Sequence, residues 1–127
     1  MELKSLSART CFLLILLFGV GAYANTFTGV FQFDDVPSIL ENRALYPLNL
    51  ERLWRYHPPR FLTHLSFVFN IYFAGFQTWS FHILNLIIHV LASWVTFRLT
   101  LSILRTPALK DRVPPAQHDL FALVVAL

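Results

Sequence analysis

From Phe61 to Phe97 the chain carries no Asp, Glu, Lys or Arg. A helix rises about 1.5 Å per residue and a hydrocarbon layer is about 30 Å thick, so this stretch is too long for one crossing. The natural break is Ala74-Gly75-Phe76-Gln77-Thr78-Trp79. Before it, polar Thr63, Ser66 and Asn70 recur at helical spacing beside His64, among large apolar residues. Residues 61–74 therefore fit a helix lying in the membrane interface or packed against a bundle. After it, 79–104 is long enough to cross the bilayer, with Trp79 as interfacial anchor.

That second helix carries His82, Asn85, His89, Ser93, Thr96 and Thr100 at intervals of three or four residues. Such spacing puts all six along one face. Polar groups in hydrocarbon need partners, so this face is expected to pack on other helices, of the same protein or of a partner subunit. His82 and His89 also invite a metal reading. No cysteine or acid joins them on this helix, and inter-helix hydrogen bonding is the stronger reading. No metal site is assigned.

Composition agrees with a membrane setting. The 127 residues are 56% hydrophobic and 13% charged, about half the charge of a soluble domain. The formal charge of +3 comes from scattered Lys and Arg; no basic stripe or block suggests nucleic acid. Cys11 is the single cysteine, which excludes an internal disulfide and a cysteine metal framework.

The N-terminal segment has two readings. Lys4 and Arg9 precede an apolar run from Cys11, and Ala22-Tyr23-Ala24 fits a signal-peptidase site. The uncharged run continues to Phe33, however, so 10–31 also reaches the length of a transmembrane helix. Both readings leave residues 1–9 in the cytoplasm and Asp34-Asp35 outside.

The following outer loop, 32–60, holds the charged residues of the middle of the chain. Pro37 suits the first turn of a short helix over Ser38–Asn42, and Asn49 can cap a second one over Leu50–Arg55, ended by Pro58-Pro59. Asp34-Asp35 at the mouth of an apolar segment is the main site candidate. The pair fits an exposed turn with one acid capping a helix. It also fits chemistry, one carboxylate taking a proton from an attacking hydroxyl and the other orienting it or helping to hold a divalent cation.

Arg98, Arg105, Lys110 and Arg112 follow or close the second span, making 105–119 a cytoplasmic loop candidate. Residues 120–127 are apolar and resemble the opening turns of a third transmembrane helix. The expected fold class is thus an all-α membrane protein: two transmembrane helices, an outer loop with short interfacial helices, and the start of a third span.

Two blocks in this order carry a family resemblance. Phe33-Asp34-Asp35-Val36-Pro37-Ser-Ile-Leu-Glu-Asn42 resembles the first outer loop of multi-spanning GT-C glycosyltransferases with C-terminal tetratricopeptide repeats, relatives of transmembrane O-mannosyltransferases. Arg60-Phe-Leu-Thr-His-Leu-Ser-Phe followed by Trp79-Ser-Phe-His82-Ile-Leu-Asn85-Leu-Ile-Ile-His89 is similar to that family's Arg-Pro-Leu-Thr segment and Trp-x-x-His-x-x-Asn-x-x-x-His run. Phe61 stands where the family has proline. The resemblance implies an N-terminal fragment of an enzyme that moves a sugar from a polyprenyl- or dolichyl-phosphate donor to a hydroxyl acceptor. It implies a base drawn from Asp34 or Asp35, in the plasma membrane or the ER membrane. Arg60 suits a lipid phosphate or an interfacial anchor. The 127-residue chain alone is expected to be inactive. The alternative is a small non-catalytic membrane protein or remnant that packs on a partner through His82, Asn85, His89 and Ser93.

Overall fold

Every described element is helical. The computed structural model describes residues 6–109 and 112–127, and the order is α1 (Ala8–Tyr23), a π-helical turn (Val36–Leu40), α2 (Leu50–Tyr56), a 3-10 turn (Pro58–Arg60), α3 (Phe61–Ala74), α4 (Thr78–Leu104), a second 3-10 turn (Pro115–Gln117) and α5 (His118–Ala126). The expectations resting on Lys4 and Lys110 lie outside the described residues. The chain divides into two units, residues 25–84 and residues 1–24 with 85–127, and α4 runs through the division.

In the second of these, α1 starts where Ser7 Oγ accepts the backbone N–H of Thr10 at 3.1 Å, filling one of the donors a helix start leaves open. Expected over 10–31, the helix instead ends at Tyr23, and 24–28 form turns. Hydropathy continues past Tyr23, but Asn25, Thr26 and Thr28 have side chains that compete for backbone hydrogen bonds and weaken a helix. Sixteen residues make about 24 Å of helix, short of a full crossing. Cys11 and Ile15 are buried against Val90, Phe97 and Leu101 of α4 and Ala122, Leu123 and Ala126 of α5. Gly19 permits the close approach: a Cβ there would sit 3.3 Å from Val90 Cγ2 and 3.5 Å from Leu86 Cδ1. Phe12 meets the edge of Trp94, which stacks on Phe97. His118 Nε2 donates to the Val113 carbonyl at 2.9 Å, holding the entry to α5.

Residues 25–84 have their own core of Ile39, Leu45, Leu53, Val68, Ile71 and Phe81. The π turn, α2, α3 and the first turns of α4 each contribute to it. Asn49 Oδ1 caps α2 by accepting Arg52 N–H at 2.9 Å. Pro58 and Pro59 form the 3-10 turn that leads into α3, since proline at a helix start gives up no needed donor. Gly75 ends α3 with φ +63°, its N–H donating to Ile71 O at 2.9 Å. That positive φ is open to glycine without a Cβ penalty.

Helix α4 is the one described helix long and apolar enough to cross a membrane, with mean hydropathy 1.7 over its most apolar window. Ile83, Ile87, Leu91, Val95, Leu99 and Ile103 form an exposed stripe along it.

Candidate functional site

The acidic pair sits on a tight turn. Asp35 N–H donates to Gln32 O at 3.0 Å, and Asp35 Oδ2 accepts the Gln32 N–H at 3.2 Å. This reciprocal pairing closes the turn on itself and anchors the Asp35 carboxylate. Asp34 is exposed; its backbone carbonyl accepts Ser38 N–H at 3.1 Å, and among the described residues its carboxylate has no hydrogen-bond or ion-pair partner. Phe33 turns the chain with φ +47° while its ring is 89% exposed. Bulky residues rarely adopt that conformation, and strained backbone of this kind clusters at functional sites. Beyond Asp35 the chain enters the π turn, where Glu41 N–H reaches back to Val36 O at 2.9 Å. π turns also recur at such sites. The acidic turn is fixed to the core beneath it through Ile39, which packs with Leu45, Leu53 and Val68.

Chemically, the two carboxylates are unequal. Asp35 is committed to its own turn, whereas Asp34 keeps its lone pairs for solvent or a ligand. Among the described residues no three of His, Cys, Asp or Glu come together as a metal-binding group. A cation held by the acidic pair would need oxygen ligands beyond these residues.

Arg60 closes the 3-10 turn, exposed and outside any described ion pair. His82 lies beside the Phe27 ring, with its Nε2 3.5 Å from where a Gly29 Cβ would stand. His89 meets Tyr23 of α1 at 5.8 Å between ring centroids. Ser93 is buried and Asn85 is exposed. The residues of the expected polar face thus differ in surroundings.

Two features escape a reading of the sequence. Buried His64 is edge-on to Tyr56 and near His57, and its Nδ1 has no hydrogen-bond partner. Burial, the largest cause, pushes the imidazole pKa down. The Arg60 backbone pulls it partly back, and the charges of His57 and Arg60 lower it further. The second feature is a cleft lined by Pro37, Glu41, Arg43, Arg52, Arg55 and Tyr56. The spacing of Arg52 and Arg55 on one helix is visible in the sequence; the arrival of Arg43 beside them is not. An apolar recess of about 360 Å³ also opens in this unit, lined by Leu45, Leu48, Leu65, Val68, Phe69 and Tyr72 among others.

Among the described residues the fold and site define an all-helical chain with one long apolar helix and an acidic turn built on a small, mainly aliphatic core. No family model matches the chain, and no curated protein or solved structure is significantly similar to it.

Proposed function

We propose that the chain is the N-terminal part of a membrane glycosyltransferase that moves a sugar from a polyprenyl- or dolichyl-phosphate donor to a hydroxyl acceptor. The observation that carries this reading is the inequality of the acidic pair: Asp35 anchored to Gln32, Asp34 free on a strained, exposed turn. A general base must reach the proton it takes, and Asp34 is the carboxylate with that freedom. In this reading Asp34 accepts the acceptor's hydroxyl proton as its oxygen attacks the anomeric carbon and the lipid phosphate leaves. Asp35 holds the turn in position. Arg60 supplies a planar cation suited to phosphate. The apolar recess offers surface of the kind an isoprenoid chain covers.

A membrane setting is supported by α4. Only 22% of its most apolar window is buried, whereas the core helix of a soluble protein is mostly covered. Large exposed apolar stripes mark membrane or protein contacts. We place the N-terminus in the cytoplasm and the acidic turn on the far side of an ER or plasma membrane.

The test is transfer of mannose from dolichyl-phosphate mannose to a Ser/Thr peptide, using membranes from cells that make the protein at its natural length. Asp34→Asn is expected to lower the rate at least a hundredfold. Wild-type rates in both Asp34→Asn and Asp35→Asn would overturn the reading.

Exposed Asn85 favours a second reading, a non-catalytic membrane protein. An amide in an apolar helix needs a partner in lipid, and a second subunit would supply it. Loss of a co-purifying partner in Asn85→Leu, with mannose transfer absent from wild type, would select this reading over the first.

A further inference from the structure

We propose that the cleft between the π turn and α2 is a binding site for a phosphate-bearing anion. It is separate from Arg60 and does not depend on sugar transfer. Three arginines, Arg43, Arg52 and Arg55, are among its lining residues together with Tyr56, and Glu41 is the one acid among them. The cleft is shallow and open to solvent, with a volume of about 480 Å³, so a phosphate can enter while the group it is attached to stays outside.

The site is built by interlocking bonds. Asn42 Nδ2 donates to Ser38 O at 3.1 Å, while its Oδ1 accepts Ala44 N–H at 3.0 Å. One buried amide thus ties the end of the acidic-motif segment to the turn that bears Arg43. Arg52 then donates from Nη1 to the Arg43 carbonyl at 3.1 Å. A guanidinium has five N–H donors in a fixed fork, so this bond orients Arg52 and leaves donors for a ligand. Because the orientation is set beforehand, less freedom is lost on binding.

The charges also favour an anion. Among the described residues the one ion pair is Arg55 with Glu51, 2.7 Å apart with side chains 78% and 72% exposed. Exposed pairs of this kind contribute little, and a doubly charged phosphate competes well for Arg55. Arg43, Arg52 and Arg55 outnumber Glu41 and Glu51, so the cleft stays net positive. Arginine forks pair bidentately with carboxylate and phosphate alike, but a phosphate has further oxygens and a second charge with which to engage more than one guanidinium, and acetate or a halide has not. The phosphate belongs either to a lipid headgroup or to a free phosphate.

The experiment uses the whole chain in dodecyl maltoside. Binding is measured by calorimetry for dihexanoyl phosphatidic acid, inorganic phosphate, dihexanoyl phosphatidylcholine and acetate. Saturable binding of phosphatidic acid is expected, weakened at least tenfold in Arg43→Gln/Arg52→Gln/Arg55→Gln and unchanged in Arg105→Gln. The single variant Arg43→Gln, whose side chain is exposed, should lose about threefold and guards against misfolding of the triple. Inorganic phosphate binding within a few-fold of phosphatidic acid would identify the free anion as ligand, and binding of phosphatidic acid alone would identify the lipid headgroup. No saturable binding of either, equal binding by wild type and Arg43→Gln, or equal affinity for acetate would overturn the proposal. Transferase activity enters none of these readouts, so a failure here leaves the catalytic reading where it stood.

Discussion

Asp35 engages both backbone polar groups of Gln32: Asp35 N–H donates to Gln32 O at 3.0 Å, and Asp35 Oδ2 accepts Gln32 N–H at 3.2 Å. Asp34, one residue away, has no part in that closure. The two neighbours should therefore respond differently to truncation. Asp35→Ala is expected to destabilise the turn by about 1 kcal/mol, as loss of a capping acceptor does. Asp34→Ala should stay within about 0.5 kcal/mol of wild type. Amide exchange at Gln32 measures this directly: it should speed up several-fold in Asp35→Ala and not in Asp34→Ala.

Phe33 tests the strain. Its φ of +47° is in the region where side-chain crowding costs about 1–2 kcal/mol, and its exposed ring contributes little burial in return. Phe33→Gly should be neutral or stabilising by up to about 1 kcal/mol, glycine's extra chain entropy offsetting part of the relief. Phe33→Val, β-branched, should be destabilising. Thermal unfolding followed by circular dichroism would order the three, and a destabilised glycine variant would contradict the account.

Gly19 sets the approach of α1 to α4. A Cβ fits with small adjustment at 3.3 Å from Val90, so Gly19→Ala should be mild. Gly19→Leu overfills the contact and should destabilise by about 1–3 kcal/mol. Cys11, wholly buried in the same core, reports the outcome. Maleimide labelling should be slow in wild type and at least tenfold faster in Gly19→Leu.

His64 makes stability depend on pH. Burial holds its pKa below the ordinary value of 6.5, so the folded state favours the neutral ring while the unfolded chain takes up a proton more readily. Its contribution is complete above pH 6.5 and is lost as the pH falls through the folded value. Melting temperature should therefore drop between pH 7.5 and 5. His64→Leu should flatten that dependence, and an unchanged slope would remove His64 as the cause.

The helical class and several boundaries are legible in the residues. Gly75 and the uncharged run on either side of it predict a break, and α3 and α4 begin and end around it. Asn49 and the paired prolines bracket α2 for capping reasons that act over three or four residues. The end of α1 was harder. Hydropathy registers the apolar run through Phe33 but not the competition between polar side chains and backbone after Tyr23, so the residues predict a helix over 10–31 where the structure has one over 8–23.

By itself, the sequence determined what local chemistry dictates: helices with caps and breakers, an apolar stretch long enough to cross a membrane, and an acidic pair in a loop. Those properties depend on residues within one or two turns of each other. Only the tertiary structure decided that His64 is buried without a partner for Nδ1, and that Arg43 joins Arg52 and Arg55 around one cleft. Such relationships arise when buried apolar side chains, here Ile39, Leu45 and Leu53, bring separate turns onto one core. Packing is indifferent to chain order, which is why the spacing of residues along the sequence does not display it.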